Sequence, residues 1–336
     1  YTEESMGVQL TGLSTEGDNP DIITPYDKGS NTYTAIVAPQ SVAVGTTFIT
    51  CTFTNGKTFV YKMKNATDWQ AGGEYTYTVS LAAAKDPGYT IEGNGSYTVT
   101  SADGLMNVAE LVNGGKTDIN ITLDKNIDLT GKDWTPIGTS FDNSCTGTFD
   151  GGGHTITGLT ITTKDQFVGL FGYLNRAGTV KNVVMEGIQI TSNHMFGNTG
   201  GGAGFSWGTI ENTGNVTLEI DSPKNLSGGG LVGFNGGSSV LACYATGNVT
   251  STGSSTGYVH IGGFLGNNYT TVTACYWKNN HEQGIGYNKK STGATKVDGT
   301  DVTWQKAVDA MNTALQNAGS EWRYELKGTL PTLRKQ

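Results

Sequence analysis

Between residues 179 and 190 the apolar positions change phase. Val183 and Met185 are odd-numbered, Ile188 and Ile190 are even, and Gly187 stands between the pairs. The same shift occurs earlier, where Ile156 is even, Leu159 and Ile161 are odd, and Gly158 separates them. Alternation predicts strands with one buried face. A phase change at glycine predicts a strand that bends at a corner and keeps its apolar side inward. Two other stretches follow helical spacing. Leu105, Val108, Leu111 and Val112 share one face over 101–113, with Ser101 as cap and Gly114 as stop. Trp304, Val308, Met311 and Leu315 share one over 302–319, ended by Gly319.

The front of the chain, 1–82, reads as β structure. "TYTAIVAPQSVAVGTTFITCTF" and "KTFVYKM" are rich in β-branched and aromatic residues, "TNGK" (54–57) is a hairpin turn, and "QAGGEYTYTVSL" (70–81) alternates Tyr75, Tyr77 and Val79. "AAAKDPGYTIEGNGS" (82–96) has Pro, Gly and Asn without periodicity, and a linker is expected over 83–96.

Beyond it the sequence repeats. The glycine-bracketed blocks "GLFG", "GAGF", "GGLVG" and "GGFLG" begin at 169, 202, 229 and 262, spaced by 33, 27 and 33 residues. The segments 179–187, 239–247 and 271–279 superpose without gaps, stacking Val180 on Val240 and Val272, and Val183 on Cys243 and Cys275. A period of this size predicts a solenoid, because one such unit cannot bury its apolar face without neighbours. The coil at 202 is expected to be irregular, since Ile210, Leu218 and Ile220 share one parity. The helix at 101–113 would cap the leading end, and 302–333 would close the far one.

"GGLVGFNGGSSVLACYATGNV" (229–249) and "GGFLGNNYTTVTACYW" (262–277) resemble the GLUG motif of bacterial surface adhesins. "ITLDKNIDLTGKDWTPIG…CTGTFDGGGHTITGLTI" (121–161) resembles the opening coils of β-helical domains in Bacteroides-type surface proteins. "MNTALQ…WRYELKGTLPTL" resembles their C-terminal cap. Together these cover 97–333. Residues 32–81 resemble the C-terminal β-sandwich of fimbrillin-like pilins. Those pilins usually have two domains, so with 82 residues before the linker most of the N-terminal sandwich is expected to be absent. The resemblance implies a small Greek-key-like β-sandwich, then a right-handed parallel β-helix with short capping helices: an all-β fold. In such β-helices "FDGGGH" (149–154) is a repeat element, with glycines in a tight turn between a strand ending at Phe149 and one beginning at Ile156, and Asp150 and His154 bonded within the turn.

Composition narrows the function. Gly is 50 of 336 residues, Pro 7, and charged residues 15%, which suits short strands and tight turns. A net charge of −8 gives no footprint for nucleic acid, and no apolar run is long enough to span a membrane. The chain opens at Tyr1 without a signal-like segment, which reads as a processed or trimmed product.

Chemistry is sparse. A polysaccharide lyase or hydrolase is the natural rival on a β-helix, yet the Arg residues are Arg176, Arg323 and Arg334, and the acids of 166–275 are Glu186, Glu211, Glu219 and Asp221. Glu211 and Asp221 could share a surface, but no paired carboxylates stack in the aligned coils, as glycosidase chemistry would need. The histidines at 154, 194, 260 and 281 share no ligand spacing, so neither metal nor cofactor is expected. Cys243 and Cys275 read as small buried hydrophobes on adjacent rungs, with a strained inter-rung disulfide as the alternative.

With the two cysteines inward, Tyr244 and Tyr276 point out on one face, and Trp207 of "GFSWGT" could join them. These three are the candidate ligand-binding residues, unless loops or another domain cover them. The expectation is an extracellular, non-catalytic adhesin on the cell surface or a fimbrium, at a pilus tip rather than in the stalk. It would bind a glycan or host protein through the β-helix and other pilin subunits through the sandwich. A passive spacer is the remaining alternative.

Overall fold

The computed structural model describes residues 7–11, 22–23, 25–30, 32–52, 58–78, 86–192, 194, 196–214, 227–237, 239–250, 259–290 and 293–336. At the front, β-branched and aromatic segments pair as a four-stranded antiparallel sheet in the order Ile22–Ile23, Gly7–Thr11, Thr47–Thr52, Thr58–Lys62. Val42, Phe48, Met63 and Trp69 form the core of this module. The turn expected at 54–57, like Val79, lies outside the described residues. The stretch 73–78 is not a strand. The Tyr75 hydroxyl accepts from the Gln70 amide and the Tyr77 hydroxyl from Trp69 Nε1, each at 2.9 Å, so both rings fold back on Thr67–Trp69 instead of lining a ladder.

The segment expected as a linker is partly structure. Tyr89–Ile91 pairs antiparallel with Tyr97–Val99, which pairs parallel with Ile121–Leu123. Two buried rings, Tyr89 and Tyr97, meet there at 5.3 Å. That aromatic contact outweighs the Pro, Gly and Asn that suggested a break, and the described residues from 86 belong to the head of the solenoid. Helix α1, Ala102–Asn113, closes this head. The Ser101 hydroxyl accepts from the Gly104 amide at 3.0 Å, and Leu105, Val108, Ala109 and Val112 turn inward. Lys62 of the front module reaches α1, pairing with Glu110 at 3.1 Å.

Over 121–277 the chain winds into a β-solenoid. Phe149, Val180, Ile210, Val240 and Val272 occupy one inward position in consecutive coils. The coil expected to be irregular is regular through Gly214: Ile210 sits between Val180 and Val240, and Thr213 opposes Val183. Leu218 and Ile220 lie outside the described residues. Gly158 and Gly187 have φ of +69° and +63°, as corners that keep apolar side chains inward require. A second corner falls on Asn182, Asn212, Ala242 and Ala274, all left-handed with φ of 48° to 55°. Asparagine suits that conformation. Here its amide adds a ladder, with Asn212 Nδ2 donating to Asn182 Oδ1 and Asn182 Nδ2 to Asp150 Oδ1, each at 2.9 Å.

The repeated blocks form the tightest part of the coil. A Cβ on Gly204 would collide with the backbone nitrogen of Val168, and one on Gly233 with that of Thr199. Two sheets approach there at backbone contact, which explains the bracketing glycines. In the "FDGGGH" turn, Gly152 and Gly153 have φ of +59° and +77°, and Asp150 Oδ1 accepts from the Gly152 amide at 2.9 Å.

Helix α2, Trp304–Asn317, and the hairpin of Trp322–Lys327 with Leu330–Lys335 do not close the far end. They lie along the side of the solenoid. Their buried residues Trp304, Val308, Met311, Leu315 and Tyr324 form one cluster with Ala242, Tyr244 and Val297, and the Trp322 ring reaches Gly153 several coils back. The outward apolar residues Ala242 and Tyr244 of the final coils, with Leu241, Ala274 and Tyr276 packed beside them, give the unit an apolar face to dock on along that side.

Candidate functional site

The tyrosines expected to face solvent do leave the coil as anticipated. Tyr244 and Tyr276 are register partners on adjacent rungs, outward of the buried thiols Cys243 and Cys275. Their face, however, is occupied. Tyr244 is 1% exposed, its ring meets Trp304 at 5.4 Å and Tyr324 at 5.8 Å, and its hydroxyl donates to the Pro331 carbonyl. Tyr276 is half-buried against the same cluster. Burial pushes both phenols above their ordinary range. The C-terminal unit covers these rings, so they hold it rather than a ligand.

Trp207 lies on a different side, and there the structure places an aromatic ladder. The strands Phe171–Leu174, Ala203–Ser206, Val232–Asn235, Leu265–Asn268 and Ile285–Asn288 form a parallel five-stranded sheet. Outside the core, Tyr173 stacks on Phe205 at 4.7 Å and 17°, and Phe205 on Phe234 at 4.7 Å and 3°. Phe234 then meets Tyr269 at 5.3 Å and 23°, and Tyr269 meets Tyr287 at 5.8 Å and 47°. The spacing is that of the rungs, about 4.8 Å. Phe141 and Phe167 stand edge-on to Tyr173 at the leading end, at 5.8 and 5.3 Å. Trp207 flanks Phe205 at 5.9 Å, and the Arg176 guanidinium lies 5.3 Å over its ring. Lys289 stands 5.5 Å over Tyr269.

Exposure is greatest at the two ends, 68% at Phe141 and 41% at Tyr287. Tyr173 is buried between its neighbours, and burial raises its phenol, partly offset by a hydrogen bond with Trp207. Beneath the rings an asparagine ladder closes the corner. Asn235 Nδ2 donates to Asn268 Oδ1 and Asn268 Nδ2 to Asn288 Oδ1, each at 2.9 Å.

Of the three expected residues only Trp207 belongs to this surface. The signal for the rest was in the repeat: the second bracketing glycine precedes an aromatic at Gly172-Tyr173, Gly204-Phe205, Gly233-Phe234 and, two coils later, Gly286-Tyr287. At Gly266 an asparagine follows, and Tyr269 supplies the ring two residues on. Among the described residues no three His, Cys, Asp or Glu side chains gather as a metal set. Asp221, expected to share a surface with Glu211, lies outside the described residues.

Residues 6–92 match the Fimbrillin-like family. That match points to a surface or fimbrial protein. Two curated relatives align over a small share of their own length. Halomucin of Haloquadratum walsbyi is 29% identical over 264 residues, covering 71% of this chain and 3% of its own. A protein of Evansella cellulosilytica, described as a candidate Gly-rich membrane protein, is 33% identical over 131 residues, covering 37% and 14%. The chain thus spans a small fraction of either relative. Among solved structures, a candidate immunoglobulin A1 protease from Bacteroides ovatus aligns over 62% of this chain and 70% of its own, with 19% identity and a TM-score of 0.37. No helix among the described residues is long and apolar enough to cross a membrane.

Proposed function

We propose that this chain is a non-catalytic adhesin, displayed on the cell surface or at a fimbrial tip, that binds a glycan or a host protein along the aromatic ladder of its β-solenoid. The front module, through its Fimbrillin-like match, would join the protein to other pilin subunits or to the outer membrane. The observation that carries the reading is the unbroken run Tyr173, Phe205, Phe234, Tyr269 and Tyr287, outside every buried core and free of the C-terminal unit that covers the opposite tyrosines. Aromatic side chains dominate recognition surfaces because they offer large contact area at little entropic cost.

The test is a slide printed with glycans and host matrix proteins, probed with the purified chain and with a Tyr269→Ser/Tyr287→Ser variant at the exposed end. A specific signal lost in the variant at unchanged melting temperature supports the adhesin. Silence across the slide, or a signal the variant keeps, refutes it and leaves a spacer.

A further inference from the structure

The ladder's geometry restricts what it can hold. Phe205 and Phe234 lie 3° from parallel at 4.7 Å, and Tyr173 and Phe205 at 17°, so these rings spend their faces on each other. A neutral sugar docks by laying its C–H face on a ring face. Along the stacked stretch from Tyr173 to Tyr269 the edges are what remains to point outward, and the edge of an aromatic ring is the positive part of its quadrupole. A row of such edges favours oxygen atoms carrying negative charge.

Over the coils from Tyr173 to Tyr287 the exposed charged side chains flanking the ladder carry the same sign, while the exposed carboxylates Asp142 and Asp165 stand before the first of these coils, by Phe141 and Phe167. Arg176 is exposed over Trp207 on the coil of Tyr173; Lys289 and Lys290 are exposed on the coil of Tyr287. None of the three makes an ion pair among the described residues. Between Arg176 and Lys290 the described carboxylates are Glu186, Glu211 and Glu282. The first two sit on the strands Thr179–Glu186 and Thr209–Gly214 of another sheet, and Glu282 is paired with Lys296 at 2.9 Å. In a chain of net charge −8, this side of the coil is locally cationic. From Tyr173 to Tyr287 is four rungs, or about 19 Å, too long for a single sugar.

Accepting the adhesin reading above, we infer that the ligand is a linear anionic polysaccharide, bearing carboxylate or sulfate groups, that runs along the solenoid axis with its charges at Arg176 and at Lys289–Lys290 and its backbone over the ring edges. Charge attraction speeds capture and confers salt sensitivity, while the aromatic edges set the register.

Binding of the whole chain to polygalacturonate, chondroitin sulfate and neutral dextran, measured at 50 and 300 mM NaCl, tests this. The expected result is binding to at least one anionic polymer and not to dextran, weakened tenfold or more by the added salt. Arg176→Gln/Lys289→Gln should lower affinity at least tenfold at unchanged melting temperature, and Lys289→Arg should retain it. Dextran bound as tightly as the anionic polymers, an unaltered Gln double variant, or no binding to either anionic polymer would overturn the inference. So would equal affinity for a single-stranded oligonucleotide, which would mark indiscriminate polyanion capture. Dextran binding that Tyr269→Ser/Tyr287→Ser abolishes would keep the adhesin reading while removing this one.

Discussion

Tyr244 and Tyr324 each donate a hydrogen bond across the joint between the solenoid and its C-terminal unit, in opposite directions. The Tyr244 hydroxyl donates to the Pro331 carbonyl at 2.6 Å, and the Tyr324 hydroxyl donates back to the Ala242 carbonyl at 3.0 Å. Each phenol crosses from one unit to satisfy a backbone oxygen of the other, with the two rings 5.8 Å apart between them. A lone outward tyrosine on a coil would be an adhesive spot; this reciprocal pair is a fastening.

Tyr244→Phe should therefore cost about 1–3 kcal/mol, since it leaves a buried carbonyl without its donor. Tyr244→Ser, which also opens a cavity, should cost about 3–5 kcal/mol. Denaturant unfolding measures both. Limited proteolysis of the Ser variant should cut first within 302–335; cleavage unchanged from the parent would contradict the fastening role.

Glycine contacts predict a contrast. Gly233→Ala places a methyl against the Thr199 backbone, which cannot move without parting two sheets, and should destabilise by about 1–3 kcal/mol or more. Gly328→Ala, in open space with φ +73°, should cost about 1 kcal/mol from its backbone conformation alone. A thermal melt in which the second variant falls further than the first would refute the close-approach explanation.

Asn268 is the middle of three. Asn268→Ala removes the acceptor of the buried Asn235 amide and the donor to Asn288, and loss of the buried Asn235 partner should cost about 1–3 kcal/mol. Asn268→Ser would recover only part of this. Hydrogen exchange should report the loss in the strands Val232–Asn235 and Ile285–Asn288, and not in α1.

Alkaline pH should undo the C-terminal joint. Burial raises the Tyr244 and Tyr324 phenols above the ordinary value of 10. Above that value the unfolded chain has lost protons that the folded chain retains, so stability is intact below pH 10 and falls as pH rises beyond it. Phenolate absorbance should appear together with unfolding, not before it. The Cys243 thiol, pushed up by burial, and the buried Cys275 should stay unreactive to a thiol reagent until the same transition.

What the sequence alone determined is the coil. Gly158 and Gly187 mark its corners, the spacing of the glycine blocks marks its period, and Val180, Val240 and Val272 mark its interior, because inward positions in a strand must alternate and a corner must break that alternation. Both helices were legible for the same reason, at a period of 3.6. Tertiary structure decided which outward face is a surface. Tyr244 and Phe234 are each an aromatic leaving a coil; the glycine before Phe234 marks its place in the repeat, but nothing local says which of the two another segment covers. The hairpin that covers Tyr244 begins at Trp322, and its place along the side is set by contacts between segments far apart in sequence, Tyr244 with Tyr324 and Pro331. Tyr89 makes the same point at the other end: its neighbours read as a break, and its partner ring at Tyr97 made it a strand.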